Sequence, residues 1–258
     1  MRSTADVARE VLADRLGAVY AIGSLAHGGF LPSISDVDVA LLTTDEQPTA
    51  AAADEIARRV GREGIELSDR LSIFHAPWAW LGEPREGSRF PAIDRMDLLR
   101  HGVLVGGTDE RSRHGRMPTH EQISAEAIAF FLDGLSRESL LAFDPSAGVR
   151  ATTKVVLAPV RLWHVTRTGL ATNNDEAVDH YLSTTGVRNA RLVSAASAWR
   201  RRQAMPQRAA VADLLDGHLL DLHVEALELV ARTPDAAPGP QRDAVERALR
   251  DLRAVPGG

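Results

Sequence analysis

Two short stretches of the chain decide its fold: Gly23-Ser24-Leu25-Ala26-His27-Gly28-Gly29 and, after a short loop, Ser35-Asp36-Val37-Asp38-Val39. The first follows the apolar, partly β-branched run 18–22, which is typical of a buried strand and ends at Gly23. The second opens another apolar run, 37–42. The two stretches therefore predict a strand, a tight turn with a short helix, and a second strand that begins with acidic residues.

The acidic residues of the second stretch point to a metal ion. Asp36 and Asp38 are two positions apart, so on a strand both side chains project from one face while Val37 and Val39 face the other way. Two carboxylates at one point repel each other unless a cation neutralises them. Magnesium prefers carboxylate oxygen and completes its shell with water and substrate phosphates. We therefore predict that Asp36 and Asp38 bind Mg²⁺.

The Gly23-Ser24 turn is the second element of this candidate site. A glycine after a strand, followed by a serine that starts a helix, exposes backbone N–H groups toward an anion. Phosphate oxygens are suitable ligands for such a turn. Gly23 and Ser24 are thus candidate phosphate-binding residues beside the predicted metal.

The remainder of the sequence predicts an α+β protein. Strands are expected at 18–22, 37–42, 71–74 and 103–105, and helices at 5–16, capped by Thr4, and at 50–60. After about residue 118 only helical patterns remain, at 121–142, 150–168, 174–182, 188–203, 207–232 and 241–254. Residues 233–240 are rich in proline and are expected to form a linker. We expect a small mixed sheet in residues 1–117 and an all-α helical bundle in residues 118–258.

Composition narrows the possible functions. The 258 residues carry 30 Lys plus Arg and 35 Asp plus Glu, for a net charge of −5, which argues against nucleic-acid binding as a function. The absence of cysteine excludes disulfides, thiolate metal sites and cysteine nucleophiles. No apolar run is long enough to span a membrane, and the first residues lack the pattern of a signal peptide. A cytoplasmic protein is expected; its oligomeric state is not indicated.

The order of these motifs resembles the nucleotidyltransferase superfamily of the DNA polymerase β type. More narrowly, it resembles the aminoglycoside adenylyltransferases that modify streptomycin and spectinomycin. The segment Arg161-Leu162-Trp163-His164-Val165-Thr166-Arg167-Thr168-Gly169 is similar to the helix of that family that carries an arginine, a tryptophan two residues later and a glycine eight later. The resemblance implies an N-terminal nucleotidyltransferase domain and a helical acceptor-binding domain. It also implies transfer of AMP from ATP to a hydroxyl of a small molecule, with Arg161 in contact with phosphates.

The family normally uses a third carboxylate, on a neighbouring strand, as the base for the attacking hydroxyl. Two residues are candidates for this role. Asp69 lies at the start of the strand 71–74, in phase with Leu71 and Ile73, and is favoured because that strand is the clearer one. Glu66 is flanked by Ile65 and Leu67, as in the family pattern, and remains the alternative.

The sequence also departs from the family pattern. Where the family has a lysine that contacts the nucleotide, this chain has Asn174. The missing positive charge would have to come from Lys154, Arg167 or the cluster 200–202. The segment 149–154, where the family carries an acidic residue, is basic. Acidic side chains that could instead hold a cationic acceptor are Asp144, Asp175, Glu176 and Asp179, although the last three also fit the acidic first turn of a helix. An alternative function is a catalytically silent, nucleotide-binding regulatory protein.

Overall fold

The computed structural model describes residues 3–233 and 239–254, which divide into two compact units. The first comprises Met1–Phe30 and Ser35–Pro118, and the second comprises Leu31–Ile34 and Thr119–Gly258. The predicted α+β fold class is confirmed, because a small mixed sheet in the first unit is followed by helices alone. Within the described residues, no helix has both the length and the apolar character needed to span a membrane.

The sheet of the first unit contains β1 (Leu16–Ala21), β2 (Val37–Thr43), β3 (Leu71–Pro77) and β4 (Val103–Gly107), in the order β3-β2-β1-β4. β1 pairs antiparallel with β2 and with β4, whereas β2 and β3 are parallel. In the parallel pair Val37 lies opposite Leu71 and Asp38 opposite Ser72. This register determines which side chains of β3 stand beside the acidic residues of β2.

Helices cover both faces of this sheet. They are α1 (Thr4–Leu12), α2 (Ser24–His27), α3 (Ala50–Arg62), α4 (Ala92–His101) and α5 (Arg111–His114), with single 3₁₀ turns at Ala13–Arg15, Ser68–Arg70 and Trp78–Trp80. On one face, Val39, Leu41 and Ile73 pack with residues of α1 and α3. On the other, Ala40 and Phe74 pack with Leu98 of α4 and with aromatic residues. The alternation along β2 thus separates two apolar layers.

The second unit is helical. Its helices are α6 (His120–Asp133), α7 (Arg137–Leu141), α8 (Gly148–Thr168), α9 (Asn174–Ser183), α10 (Ala190–Arg202), α11 (Arg208–Leu215), α12 (His218–Arg232) and α13 (Gly239–Arg253), with a 3₁₀ turn at Pro145–Ala147. A single apolar core joins α8, whose Val156, Val160 and Trp163 are buried, to residues of the other helices. The short segment Leu31–Ile34 belongs to this unit, and Arg150 donates to the carbonyl oxygen of Ile34 at 3.1 Å.

Several predicted boundaries were wrong. Helix 5–16 ends at Leu12, where Ala13 takes a positive φ of 49°, and its cap is Ser3, which forms a capping box with Asp6. The predicted helix 121–142 is the two helices α6 and α7. The predicted helix 207–232 is interrupted at Gly217, whose φ is +69°.

Two further differences concern segments whose local pattern is weak. The structure contains α4, which the sequence patterns did not predict. Of the expected linker 233–240, residues 234–238 lie outside the described residues. Gly239 and Pro240 already belong to α13, because proline is tolerated in the first turn of a helix.

Candidate active site

The two aspartates of the acidic stretch lie where β2 begins. Val37 and Val39 face the apolar layer of α1 and α3, so Asp38 projects from the opposite face of the strand. Asp36 immediately precedes the strand, and both aspartates are half-buried. Partial burial strengthens the repulsion between neighbouring carboxylates and equally strengthens their attraction for a cation.

The Gly23-Ser24 turn lies against Asp38. The N–H of Ile22 donates to the main-chain oxygen of Asp38 at 3.0 Å. A Cβ placed on Gly23 would lie 2.6 Å from Oδ2 of Asp38, and the φ of Gly23 is +62°. Both the space and the backbone conformation therefore require glycine. The two sequence stretches meet at this contact.

The N–H of Gly23 has a different role from the one that its sequence predicted. It donates to Oδ2 of Asp97 at 2.5 Å. This N–H is therefore bonded to a protein carboxylate and is not directed at a phosphate site. The carbonyl oxygen of Gly23 accepts from Ala26 and His27, and thereby closes the single turn of α2. Ser24, the first residue of α2, remains the candidate phosphate ligand of this turn.

Asp97 and its neighbour His27 are the residues that sequence reasoning missed. Asp97 lies on α4 and is only 4% exposed. Its Oδ1 lies 3.7 Å from Nε2 of His27, and the ring of His27 packs edge-on against that of His101, with the centroids 5.8 Å apart. No local motif marks Asp97, because 74 residues separate it from Gly23. The sequence of α4 offers no clear helical pattern that would have drawn attention to Asp97.

The two candidate bases lie outside β3. Asp69 belongs to the 3₁₀ turn Ser68–Arg70, and Glu66 precedes it; both are exposed. Leu71 and Ile73, with which Asp69 was expected to be in phase, pack on the face of the sheet opposite to Asp38. The β3 residue in register with Asp38 is Ser72. Among the described residues, no three histidine or acidic side chains are grouped so as to hold a metal ion.

The arginine segment lies in the second unit, on α8. Arg161 is exposed, whereas Trp163 is 2% exposed and packs against His180 and Tyr181, with ring centroids 4.5 and 6.1 Å away. Trp163 is therefore a core residue. Lys154 and Arg167, two of the possible replacements for the family lysine, are also exposed on this helix.

The arginine cluster 200–202, the third possible replacement for the family lysine, is not uniformly exposed. Arg201 and Arg202 are exposed, but Arg200 is 7% exposed. Burial lowers the pKa of the Arg200 guanidinium; Asp175 opposes this shift and Arg161 adds to it. Arg200 is therefore a partly desolvated cation.

Two of the four acidic side chains proposed to hold a cationic acceptor, Asp144 and Asp175, already have arginine partners in the second unit. Asp144 accepts from the N–H of Ser146 and from Arg208, both at 2.8 Å, and these contacts lower its pKa. Asp175 pairs with Arg201 at 3.3 Å. The N–H of Glu176 donates at 2.9 Å to Asn173, which caps α9. Asp175 and Glu176 thus form the acidic first turn of that helix, and Asp179 is exposed on it.

No protein-family model matches this sequence, and no curated protein sequence is significantly similar to it. Among solved structures, the chain is similar to spectinomycin adenyltransferase AAD(9) from Enterococcus faecialis, whose crystal structure contains ATP and spectinomycin. The similarity covers 97% of this chain and 96% of that one, with a TM-score of 0.53 and 11% sequence identity. The chain therefore shares the fold of that adenyltransferase.

Within this fold, two of the described residues offer the donor type that a magnesium ion prefers. Asp36 and Asp38 offer hard carboxylate oxygens at the start of one strand, and Gly23, which has no Cβ, leaves room beside Oδ2 of Asp38. A donor set of two carboxylates leaves further positions in the ion's shell for water and phosphate oxygens. The donor set therefore fits a magnesium ion.

Proposed function

We propose that this protein is a magnesium-dependent nucleotidyltransferase that transfers AMP from ATP to a hydroxyl group of a small molecule such as an aminoglycoside. The observation that carries the proposal is the contact between Gly23 and Asp38. It joins a turn suited to phosphate with a pair of carboxylates suited to magnesium, in a nucleotidyltransferase fold. The cytoplasm, which supplies ATP and Mg²⁺, is the proposed location.

Each residue of the site has a role in the proposed reaction. Asp36 and Asp38 would hold the metal, whose charge stabilises the triphosphate and the pyrophosphate that leaves. Ser24 would bind phosphate oxygens through its hydroxyl and N–H groups, and the guanidinium of Arg161 would add a further charge-assisted contact. The acceptor hydroxyl would attack the α-phosphorus, with its proton passing to Asp69 or Glu66. Fixed geometry and charge neutralisation would supply most of the rate enhancement.

The acceptor is the least constrained part of the proposal. The similar adenyltransferase was solved with spectinomycin, which supports an aminoglycoside or aminocyclitol as the first acceptor to test. One observation argues against a strongly cationic drug as the acceptor: Asp144 and Asp175 are already paired with arginines. Measuring ATP-dependent pyrophosphate release with streptomycin, spectinomycin and other aminoglycosides tests this choice. If none of them stimulates release, the drug-modifying function is wrong, and other hydroxyl-bearing acceptors must be screened.

A second candidate is a nucleotide-binding regulatory protein without catalytic activity. The observation in its favour is that Ser72 occupies the position of β3 in register with Asp38, while both candidate bases are exposed and precede the strand. The pyrophosphate-release assay separates the two functions when nucleotide binding is measured in parallel. Binding of Mg²⁺ and ATP without pyrophosphate release, for every acceptor tried, would favour the regulatory protein.

A further inference from the structure

A buried carboxylate outside the predicted motif holds the turn of the candidate site. Asp97 of α4 is 4% exposed, and its Oδ2 accepts the N–H of Gly23 at 2.5 Å. A hydrogen bond to an ionised group in a buried place is among the stronger polar interactions of a protein. Asp97 thus fixes the residue that joins β1 to α2.

Gly23 lies between two carboxylates. Its N–H is bonded to Asp97, while the side on which a Cβ would stand is occupied by Oδ2 of Asp38, 2.6 Å from the Cβ position. Gly23 makes both contacts in one backbone conformation, with a φ of +62°. Loss of the Asp97 contact would leave Gly23, the most flexible residue type, without the bond that selects this conformation.

Asp97 also contacts the far end of the same short helix. Its second oxygen, Oδ1, lies 3.7 Å from Nε2 of His27, the last residue of α2, and makes no hydrogen bond within the described part of the chain. A single side chain therefore reaches the residues at both ends of the turn on which Ser24 stands. A helix of one turn has little stability of its own, so such external contacts determine its orientation.

We infer that Asp97 is a positioning residue for the nucleotide site: by holding Gly23 and the α2 turn against Asp38, it keeps Ser24 in place to bind the phosphates. This inference rests on the proposed function. It differs from a base or metal-ligand role, because Asp97 acts through Gly23 and need not touch the nucleotide.

The test compares three variants with the wild type. Asp97→Ala removes the acceptor, Asp97→Asn keeps an amide oxygen that can accept the same N–H, and Arg100→Ala is the control, an exposed residue of the same helix. One readout is the hydrogen exchange of the Gly23 amide without ligand. The others are calorimetric binding of a nonhydrolysable ATP analogue with Mg²⁺, and the KM values for ATP and for the acceptor.

In Asp97→Ala we expect the Gly23 amide to exchange about tenfold faster or more, and the ATP analogue to bind about tenfold more weakly, since a charge-assisted hydrogen bond is lost. KM for ATP should rise more than KM for the acceptor. Asp97→Asn should recover most of both losses, and Arg100→Ala should behave as the wild type. If Asp97→Ala does not fold, His27→Ala takes its place; it removes the contact with Oδ1 together with the ring packing against His101, and should weaken analogue binding by about threefold.

Two results would overturn the inference, and they can be told apart. Affinity for the analogue within twofold of the wild type, in a folded variant whose Gly23 amide has lost its protection, would show that the contact does not position the nucleotide site. If the wild type protects Gly23 but binds no analogue, the proposed function itself fails, and the positioning role fails with it.

Discussion

Gly23 is so close to Asp38 that a Cβ on the glycine would lie 2.6 Å from Oδ2 of the aspartate. We therefore expect Gly23→Ala to destabilise the protein by about 1–3 kcal/mol, because it combines an unfavourable positive φ with a clash. Gly28→Ala is the matched control for stability: its φ is +87° but nothing lies within 4 Å of its Cβ position. Denaturant unfolding of both variants separates the backbone strain from the clash. If the two variants lose the same free energy of unfolding, the contact with Asp38 contributes nothing to the loss.

The metal assignment predicts that Asp36→Asn and Asp38→Asn each abolish metal-dependent transfer while leaving the fold intact. Removing one of two neighbouring negative charges should even stabilise the metal-free protein slightly. Calorimetric titration of Mg²⁺ with a nonhydrolysable ATP analogue should show linked binding that Asp36→Asn loses. Asp54→Asn, an exposed change on α3, serves as the control. Turnover like that of the wild type in either variant of the pair would contradict the assignment.

The base is best identified by comparing Asp69→Asn with Glu66→Gln. The variant that removes the base should lose about 10²-fold or more in kcat, with little change in nucleotide affinity, because proton removal matters only on the way to the transition state. The other variant should be nearly neutral. Equal small effects would mean that neither exposed carboxylate accepts the proton, and that water or the substrate takes it.

If the acceptor is a polycation, replacing Asp175 and Asp179 together by asparagine should raise its KM. The rise should be larger at low salt than at high salt, because exposed charges are screened over about 10 Å at 0.1 M. Asp179→Asn alone is the comparison, since Asp175 is already paired with Arg201 at 3.3 Å. A KM that is insensitive to both the double change and salt would remove these residues from the acceptor site.

The burial of His223 predicts that the protein loses stability in acid. It is 3% exposed, and burial lowers its pKa to about 4 from an ordinary 6.5. The unfolded chain therefore takes up a proton that the native protein does not, and the free energy of unfolding should fall as pH drops from about 6.5 to about 4. The loss is on the order of 3 kcal/mol. Burial also lowers the pKa values of His164 and His180, which adds to the same trend.

The measurement is chemical denaturation at a series of pH values. His223→Asn should be less stable at neutral pH but should show a smaller decrease in acid. His218→Asn, which changes an exposed residue at the start of the same helix, should keep the slope of the wild type. An unchanged slope in His223→Asn would assign the acid sensitivity to other groups.

Those parts of the site that lie next to one another in the chain could be predicted without a structure. The alternation of Asp36 and Asp38 with Val37 and Val39 follows from the geometry of a strand, so it could be deduced without coordinates. The same local regularities predicted the strands of the sheet and the change to helices after residue 118. Helix ends were less accurate, because capping and single positive-φ residues such as Ala13 and Gly217 decide them.

Contacts between residues that are distant in sequence depend on how the elements pack together. The parallel register of β2 and β3 sets Ser72, and neither candidate base, beside Asp38. The docking of α4 carries Asp97 to Gly23 across 74 residues, and the packing of the helical unit buries Arg200. Hydrophobic periodicity shows which face of an element is covered, but the free energy of packing the elements together determines which polar group on one element meets which on another.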